Sequence, residues 1–458
     1  MTNPTPQSVL FPEVFGKPTT AVFDGEALSS DGGTALLATI DRRLGLTEDL
    51  ATLLEDPRDP DRVRHTVLDL LRQRVFSISL GYADQNDAAR VASDPMMKGA
   101  SGRAPVRGDD LASQPTLSRF ENSVTARELI AMARRLEETV VDRLRRRHPC
   151  PRRVTIDLDP SCDPTHGAQQ QALFNGFYSS WCYLPIFGFV TVEGDPEQYL
   201  FSARLRPGNA REGRTSLPTI RRMVRRLRAA FPRTEILVRL DSGFAGPRLF
   251  DVLDELGVKY VVGMPKNQLL VKMCEAQMTA AAVLAETEQA TAQIFGEGEY
   301  RARSWSRSRR VVFKAEVLVA EGKLNKDNPR FVVHNLSRSF KPETVYQRVY
   351  CGRGDSENRI KELKYGLEVD RTSDSRFLAN QFRVLLSAAA YVLFQELRHE
   401  LRDTEAAAWQ VGTIRERLLK IGARVVESVR RVVVHLASAC PWRGLWCEAA
   451  RKLGAVPG

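Results

Sequence analysis

Two periods of hydrophobic repeat divide the chain. Up to about residue 150 the apolar positions recur at helical spacing, as in Val67, Leu68, Leu70, Leu71, Val75 and Ile78. Short extended pieces and the turn Ser29-Ser30-Asp31-Gly32-Gly33 precede a predicted helix from Thr34 to Leu44, and Asp61 to Arg147 reads as mainly helical. Gly99 to Asp110 is a Gly/Pro/basic loop, after which Gln114 to Phe120 starts a helix, with Pro115 early and Thr116 or Ser118 as cap. Two helices joined in this way fit a DNA-reading helix-turn-helix or, equally, a packed helical domain.

At Arg152 the period shortens to two. Val154 to Asp159 alternates as a strand and is stopped by Pro160; Tyr183 to Val192 and Gln198 to Leu205 read as further strands. A helix from about Thr215 sets Leu217, Ile220, Val224 and Leu227 against an arginine face. A strand (Glu235 to Leu240), a helix (Pro247 to Leu256) and a strand (Lys259 to Gly263) follow. The order β-β-β-α-β-α-β predicts an α/β protein with an RNase H-like core, a mixed five-stranded sheet covered by helices.

The predicted organisation is a mainly helical DNA-binding region over 1–150, the first part of the core over 151–265 and a β-rich insertion over 266–345. The last part of the core covers 346–400, and a helical, Arg-rich region covers 401–458. The insertion begins helical (Leu269 to about Glu288) and continues as strands at Glu299 to Trp305, Val311 to Val319 and Phe331 to His334.

Charge adds a partner. The 458 residues carry net charge +11, with arginines clustered at 143–147, 221–228 and 301–310. Arg binds phosphate bidentately, so three clusters point to a long phosphate track and to nucleic acid. Seven cysteines without metal-finger spacing read as reduced thiols of a cytoplasmic protein. The start, Met1-Thr2-Asn3-Pro4-Thr5-Pro6, lacks a signal-peptide pattern. The longest apolar stretch, Leu385 to Phe394, is too short to span a bilayer, so no membrane partner is expected.

Asp159 ends the first core strand and Asp241 the fourth. Catalytic groups gather at the carboxyl ends of strands in open α/β sheets. In this topology the two strands are neighbours, and their facing carboxylates need cations between them, such as two Mg2+. Asp157 lies two residues earlier on the same strand face and is the alternative first aspartate. Tyr350, Arg353, Glu357 and Lys364 fit Tyr-x2-Arg-x3-Glu-x6-Lys. On a helix these positions share a stripe of roughly 60°. Each of these carboxylates could instead be an ordinary cap, turn former or exposed helix residue.

That signature resembles the one around the last acidic residue of DDE transposases from bacterial insertion sequences. Over nearly its whole length the chain is similar to their thirteen-eighty family. The carrying segments are Leu28 to Gly33, Gly81 to Asp87, Gln114 to Asn122, Ile156 to Gln170, Arg239 to Phe244 and Tyr350 to Lys364. The resemblance implies an RNase H-like fold and a DDE triad of Asp159, Asp241 and Glu357 holding two Mg2+, with Mn2+ as substitute. It implies inverted-repeat and target DNA as partners, assembly as a homodimer or higher multimer, and cut-and-paste transposition. Tyr350, Arg353 and Lys364 would contact the DNA end. Trp305 of the insertion would stack on an extruded base, with Arg303 and Arg307 holding phosphates; a core position in the insertion sheet is the other reading of this Trp. Arg119, in a carrying segment, is a further DNA-binding candidate. An RNase H-like nuclease without strand transfer and a catalytically silent DNA-binding protein are the competing functions.

Overall fold

A computed structural model describes residues 9–11, 17, 19–22, 25–320 and 324–456; the predicted absence of a leader at Met1 to Pro6 lies outside them. The chain forms two compact units, one of residues 1–121 and 396–458, the other of 122–395.

Among the described residues the first unit is helical with two small sheets. Its helix Val67–Ser79 starts at a reciprocal cap between Thr66 and Asp69 and buries Leu70, Leu71, Val75 and Phe76. Arg74 of that helix meets Glu121 in a buried ion pair (2.6 Å). Two of the carrying segments meet here: Tyr82 donates to Asp31 (2.9 Å), and Lys420 binds Asp31 (2.7 Å) beneath the Tyr82 ring. The region after residue 400 is not all helix, as its composition suggested. Ala423–Glu427 and Val432–Leu436 form a hairpin that pairs with Leu28–Ser29. Five valines in these two stretches prefer a pleated surface, which outweighs the arginines around them.

The second unit contains β1 (Arg153–Pro160), β2 (Asp163–Pro164), β3 (Leu173–Asn175), β4 (Ser180–Tyr183), β5 (Ile186–Val192), β6 (Gln198–Arg204), β7 (Glu235–Leu240), β8 (Lys259–Met264), β9 (Ala292–Tyr300), β10 (Arg309–Leu318), β11 (Lys326–Asp327) and β12 (Arg330–His334). Its main helices are α1 (Ala126–Arg147), α2 (Leu217–Ala230), α3 (Pro247–Glu255), α4 (Glu275–Glu288), α5 (Gly354–Leu367) and α6 (Phe377–Glu400), whose last residues from Glu396 belong to the first unit. Among the described residues nine strands form one mixed sheet in the order β9-β10-β12-β8-β7-β1-β5-β6, with β11 beside β10. The expected five strands are its centre: β1 pairs antiparallel with β5 and parallel with β7, β5 antiparallel with β6, and β7 parallel with β8. The sheet is wider than the five predicted strands, because β12, from the β-rich insertion, pairs antiparallel with β8 and continues it. β9 also begins seven residues before the predicted strand, and Trp305 lies in the turn after it. Gly296 and Gly298, which usually weaken a strand, masked β9.

Alternation along the strands sorts the chemistry. Ile156, Leu158, Val238 and Leu240 face a core filled by Ile220, Val224 and Leu227 of α2 and Leu249, Phe250 and Leu253 of α3. The residues between them, Asp157, Asp159, Arg239 and Asp241, point to the opposite face. There Leu237 and Val261 pack with Val345 and Tyr346, at the start of the segment that leads into α5. The predicted 10-residue apolar stretch is part of the 24-residue α6, long and apolar enough to cross a membrane, yet 78% of its most apolar window is buried. Core packing in this unit accounts for its composition: Leu385, Ala388 and Val392 lie with Leu136 of α1 and Leu200 of β6.

Candidate active site

Parallel pairing of β1 with β7 sets Asp157 beside Arg239, and the same register carries Asp159 and Asp241 out together at the carboxyl ends. The two aspartates of β1 have different surroundings. Asp157 is fully buried and takes a bidentate hold from Arg239 (2.7 and 2.6 Å). Burial pushes its carboxyl up, while Arg239 holds it down. Arg239 also donates to the carbonyl of Val349 (3.1 Å), which anchors the residue before Tyr350. Asp157 therefore works through Arg239 to position the signature segment.

Asp159 faces the other acids. Arg353 donates from Nη1 to Asp159 Oδ2 (2.7 Å) and from Nη2 to Glu357 Oε1 (2.8 Å). Burial is the main cause that pushes Asp159 up to about 7; Asp241 and Glu357 add to it, and Arg353 opposes it. Asp241 and Glu357 are thus both close enough to act on Asp159. Asp241 also shapes its own turn, accepting from the Gly243 amide (2.8 Å), so its cap role and its place at the strand end coexist.

The signature segment is helical from Thr344 to Leu367, but its pitch changes. A wide π-type turn over Thr344–Tyr350 and a tight 3-10 turn over Cys351–Arg353 lead into α5. Asp355 and Ser356 lie inside the first turn of α5 with Glu357; Ser356 bonds back to the carbonyl of Arg353 (2.8 Å). Gly352 and Gly354 do not break the helix. A Cβ at Gly352 would lie 2.5 Å from Arg239 Nη1, so this glycine lets the segment approach β7. Gly263 of β8 does the same for Tyr350: a Cβ there would meet the phenol oxygen at 2.5 Å and the Ser242 nitrogen at 2.8 Å. The Tyr350 hydroxyl thereby sits against the Asp241 turn, and burial pushes its pKa up, so it remains a donor. Lys364, farther along α5, donates to the Cys162 carbonyl (2.6 Å) and pairs with Asp370 (3.4 Å).

Tyr350, Arg353, Glu357, Asp159 and Asp241 are therefore brought together, with Lys364 on the same helix. The remaining candidates lie apart. Trp305 is only 4% exposed, packed edge-on to Phe250 and Tyr300 with the Arg309 guanidinium 5.5 Å from its ring centre. In this arrangement the indole is a core residue with no face open to a base. Arg307 is tied to Asp254 (2.5 Å), while Arg303 and Arg119 are exposed. Several members of the arginine clusters are paired inside the fold. Arg143 is buried against Tyr199, Arg222 and Arg226 bind Glu137, Arg309 binds Asp254, and Arg310 binds Glu297. Arg145, Arg146, Arg225, Arg228, Arg301 and Arg303 of the same clusters remain exposed.

Sequence reasoning missed Arg239, Gly263 and an aromatic hairpin over 173–183. Arg239 stood out as a cation inside an apolar strand, and Asn175-Gly176 between Phe174 and Phe177 is a hairpin signal.

The profile of the family described as Transposase DDE domain group 1 matches residues 11–457. The chain belongs to this family. No curated protein matches it. Among solved structures, the family member described here is similar to a piggyBac transposase, seen by cryo-electron microscopy in a synaptic complex with hairpin DNA. The two share 10% identity over 85% of this chain and 79% of that one, with a TM-score of 0.41. Members of the DDE family generally use divalent metals. Among the described residues no group of three His, Cys, Asp or Glu side chains is drawn together tightly enough to hold a metal ion. The guanidinium of Arg353 stands between Asp159 and Glu357 instead. The donor chemistry nevertheless fits: three carboxylates are hard oxygen ligands, and their mutual repulsion is what a divalent cation relieves.

Proposed function

We propose that the protein is the transposase of a bacterial insertion sequence near the thirteen-eighty family, which binds its element's inverted repeats, cuts the DNA and joins it to a target. The observation that carries this reading is the convergence of Asp159, Asp241 and Glu357 around Arg353. The central strand order, three antiparallel strands followed by two parallel ones, supports an RNase H-like core.

Asp159, Asp241 and Glu357 are the residues that would hold Mg2+, or Mn2+ in its place. Bound there, the metal supplies Lewis acidity for phosphodiester attack. Arg353 has the planar fork that grips a phosphate bidentately once it leaves the carboxylates. The Tyr350 hydroxyl donates a further hydrogen bond, and Lys364 adds positive charge along the same helix face. Water attacks phosphorus, forming one P–O bond and breaking the bond to the 3′ oxygen. The freed 3′-OH then attacks a target phosphodiester, again one bond formed for one broken. Two DNA ends are held by a homodimer or higher multimer in the cytoplasm.

The test uses purified wild type, Glu357→Gln and Asp241→Asn with DNA carrying the gene's own flanking repeats, with and without Mg2+. Metal-dependent cleavage and joining by wild type, reduced about 10³-fold in each variant, is expected, because the metal's charge stabilisation is worth several kcal/mol. Cleavage without joining makes the protein a nuclease, and repeat binding without cleavage in any metal makes it a silent DNA-binding protein.

A further inference from the structure

Four large aromatic side chains stand together on β3, β4 and the turn between them, each with much of its ring in water. Phe177 is 88% exposed, Trp181 59%, Phe174 54% and Tyr178 39%. Phe174 and Trp181 are direct cross-strand neighbours with ring centres 6.2 Å apart, and Phe177 and Tyr178 form a second pair at 4.9 Å. The turn that carries them is fixed. Asn175 accepts from the amides of Phe177 (3.0 Å) and Tyr178 (3.3 Å) and donates to the Gly208 carbonyl (2.8 Å). The rings are thus presented already ordered, which lowers the cost of using them.

The hairpin grows out of the catalytic strand. Pairing of β1 with β5 runs through Asp159–Phe187 to Pro160–Ile186, and pairing of β2 with β4 takes over at Asp163–Tyr183 and Pro164–Cys182. Trp181 is six residues beyond Phe187, so even a fully extended strand keeps it within roughly 20 Å of the level of Asp159. Between Asp163 and Glu193 there is no Asp, Glu, Lys or Arg, so nothing in the hairpin repels phosphate. The loop that pins it at Gly208 continues to Arg211 and Arg214, both exposed.

We propose that the β3–β4 hairpin is a stacking platform for unpaired nucleobases of DNA whose backbone lies at the catalytic carboxylates. Every base offers a π face, so such a platform binds unpaired strands with little regard for sequence. The inference rests on the transposase reading, and it moves the stacking role from Trp305 to a surface that faces solvent. A second copy of the chain is a poorer occupant. Four side chains of this kind offer at most roughly 500 Å² at these exposures, short of the about 800 Å² per partner in a stable interface.

The experiment compares full-length wild type with the double variant Phe177→Ser/Trp181→Thr. Fluorescence anisotropy measures binding to a blunt duplex and to the same duplex with a single-stranded extension, and light scattering measures the oligomeric state. Wild type is expected to prefer the extended DNA. The variant should lose that preference by at least about tenfold, the value of one stacked base, while binding the blunt duplex as wild type does. Equal affinity of both proteins for the extension overturns the proposal. So does a dimeric wild type and a monomeric variant with unchanged DNA binding, which assigns the patch to self-association. Duplex binding without any preference for the extension removes the platform and leaves the transposase reading standing. Failure of wild type to bind either DNA removes both.

Discussion

Arg353 lies 2.7 Å from Asp159 and occupies, with its second nitrogen on Glu357, the place between two carboxylates that a divalent cation would take. The side chain serves as an internal counter-ion that keeps repelling acids together in the absence of DNA and metal. Replacing it by Gln should lower metal-free stability by about 1–3 kcal/mol, the range for charge-assisted hydrogen bonds. Added Mg2+ should then raise the melting temperature of Arg353→Gln more than that of wild type. An equal rise in both proteins, read by thermal unfolding with and without Mg2+, would contradict the counter-ion role.

Trp305→Ala measures where the indole works. Packed against Phe250 and Tyr300, its loss should cost about 3–5 kcal/mol of unfolding free energy. Denaturant unfolding with a midpoint unchanged from wild type would show that the side chain is not core.

Asp157→Asn should destabilise the protein by about 3–5 kcal/mol, because it leaves the buried Arg239 without its charge partner. Replacing both residues, Asp157→Leu with Arg239→Met, should recover much of that loss. Chemical denaturation of the three proteins gives the comparison. A double variant no more stable than Asp157→Asn would point to a role beyond the pair.

Asp163 sets a pH dependence. It is fully buried, with one oxygen accepting from Thr372 (2.8 Å) and the other without a hydrogen bond, and burial pushes it up to about 8. Asp159 is pushed up to about 7. Raised carboxyl groups bind protons more tightly in the folded state than in the unfolded one. Their contribution to stability is full below the ordinary carboxylate range, then falls as pH rises to about 7 for Asp159 and about 8 for Asp163. Asp163→Asn should flatten this decline and, at pH above 8, stabilise the protein by on the order of 1–3 kcal/mol. Melting temperatures of both proteins across that range decide it; parallel curves would contradict the assignment.

Much of the second unit was legible because its strands are short, apolar and bounded by Pro, Gly or Asp. The adjacency of β1 and β7, the positions of Asp159 and Asp241 at their ends and the helical stripe holding Arg353 and Glu357 all follow from period and order. What escaped the sequence depends on partners far along the chain. The Arg222 and Arg226 side chains look like a solvated basic face until Glu137 of another helix neutralises them. Trp305 among arginines looks exposed until Phe250 and Tyr300 close over it. Strand β9 was shifted because its glycines mimic a loop, and the two C-terminal strands were hidden by the arginines around them.

The hydrogen-bond ladder between β8 and β12 has a mechanical consequence. A segment joined to its host only by loops can swing as an arm, but this one is stitched into the host's own sheet from Val261–His334 to Met264–Phe331. Any rotation of it must shear that seam or carry the strand leading to Asn267 along with it. In the proposed reaction, accommodating a DNA end would therefore fall to the loops at the strand ends and to side chains such as Arg353, with the sheet beneath them as an anvil.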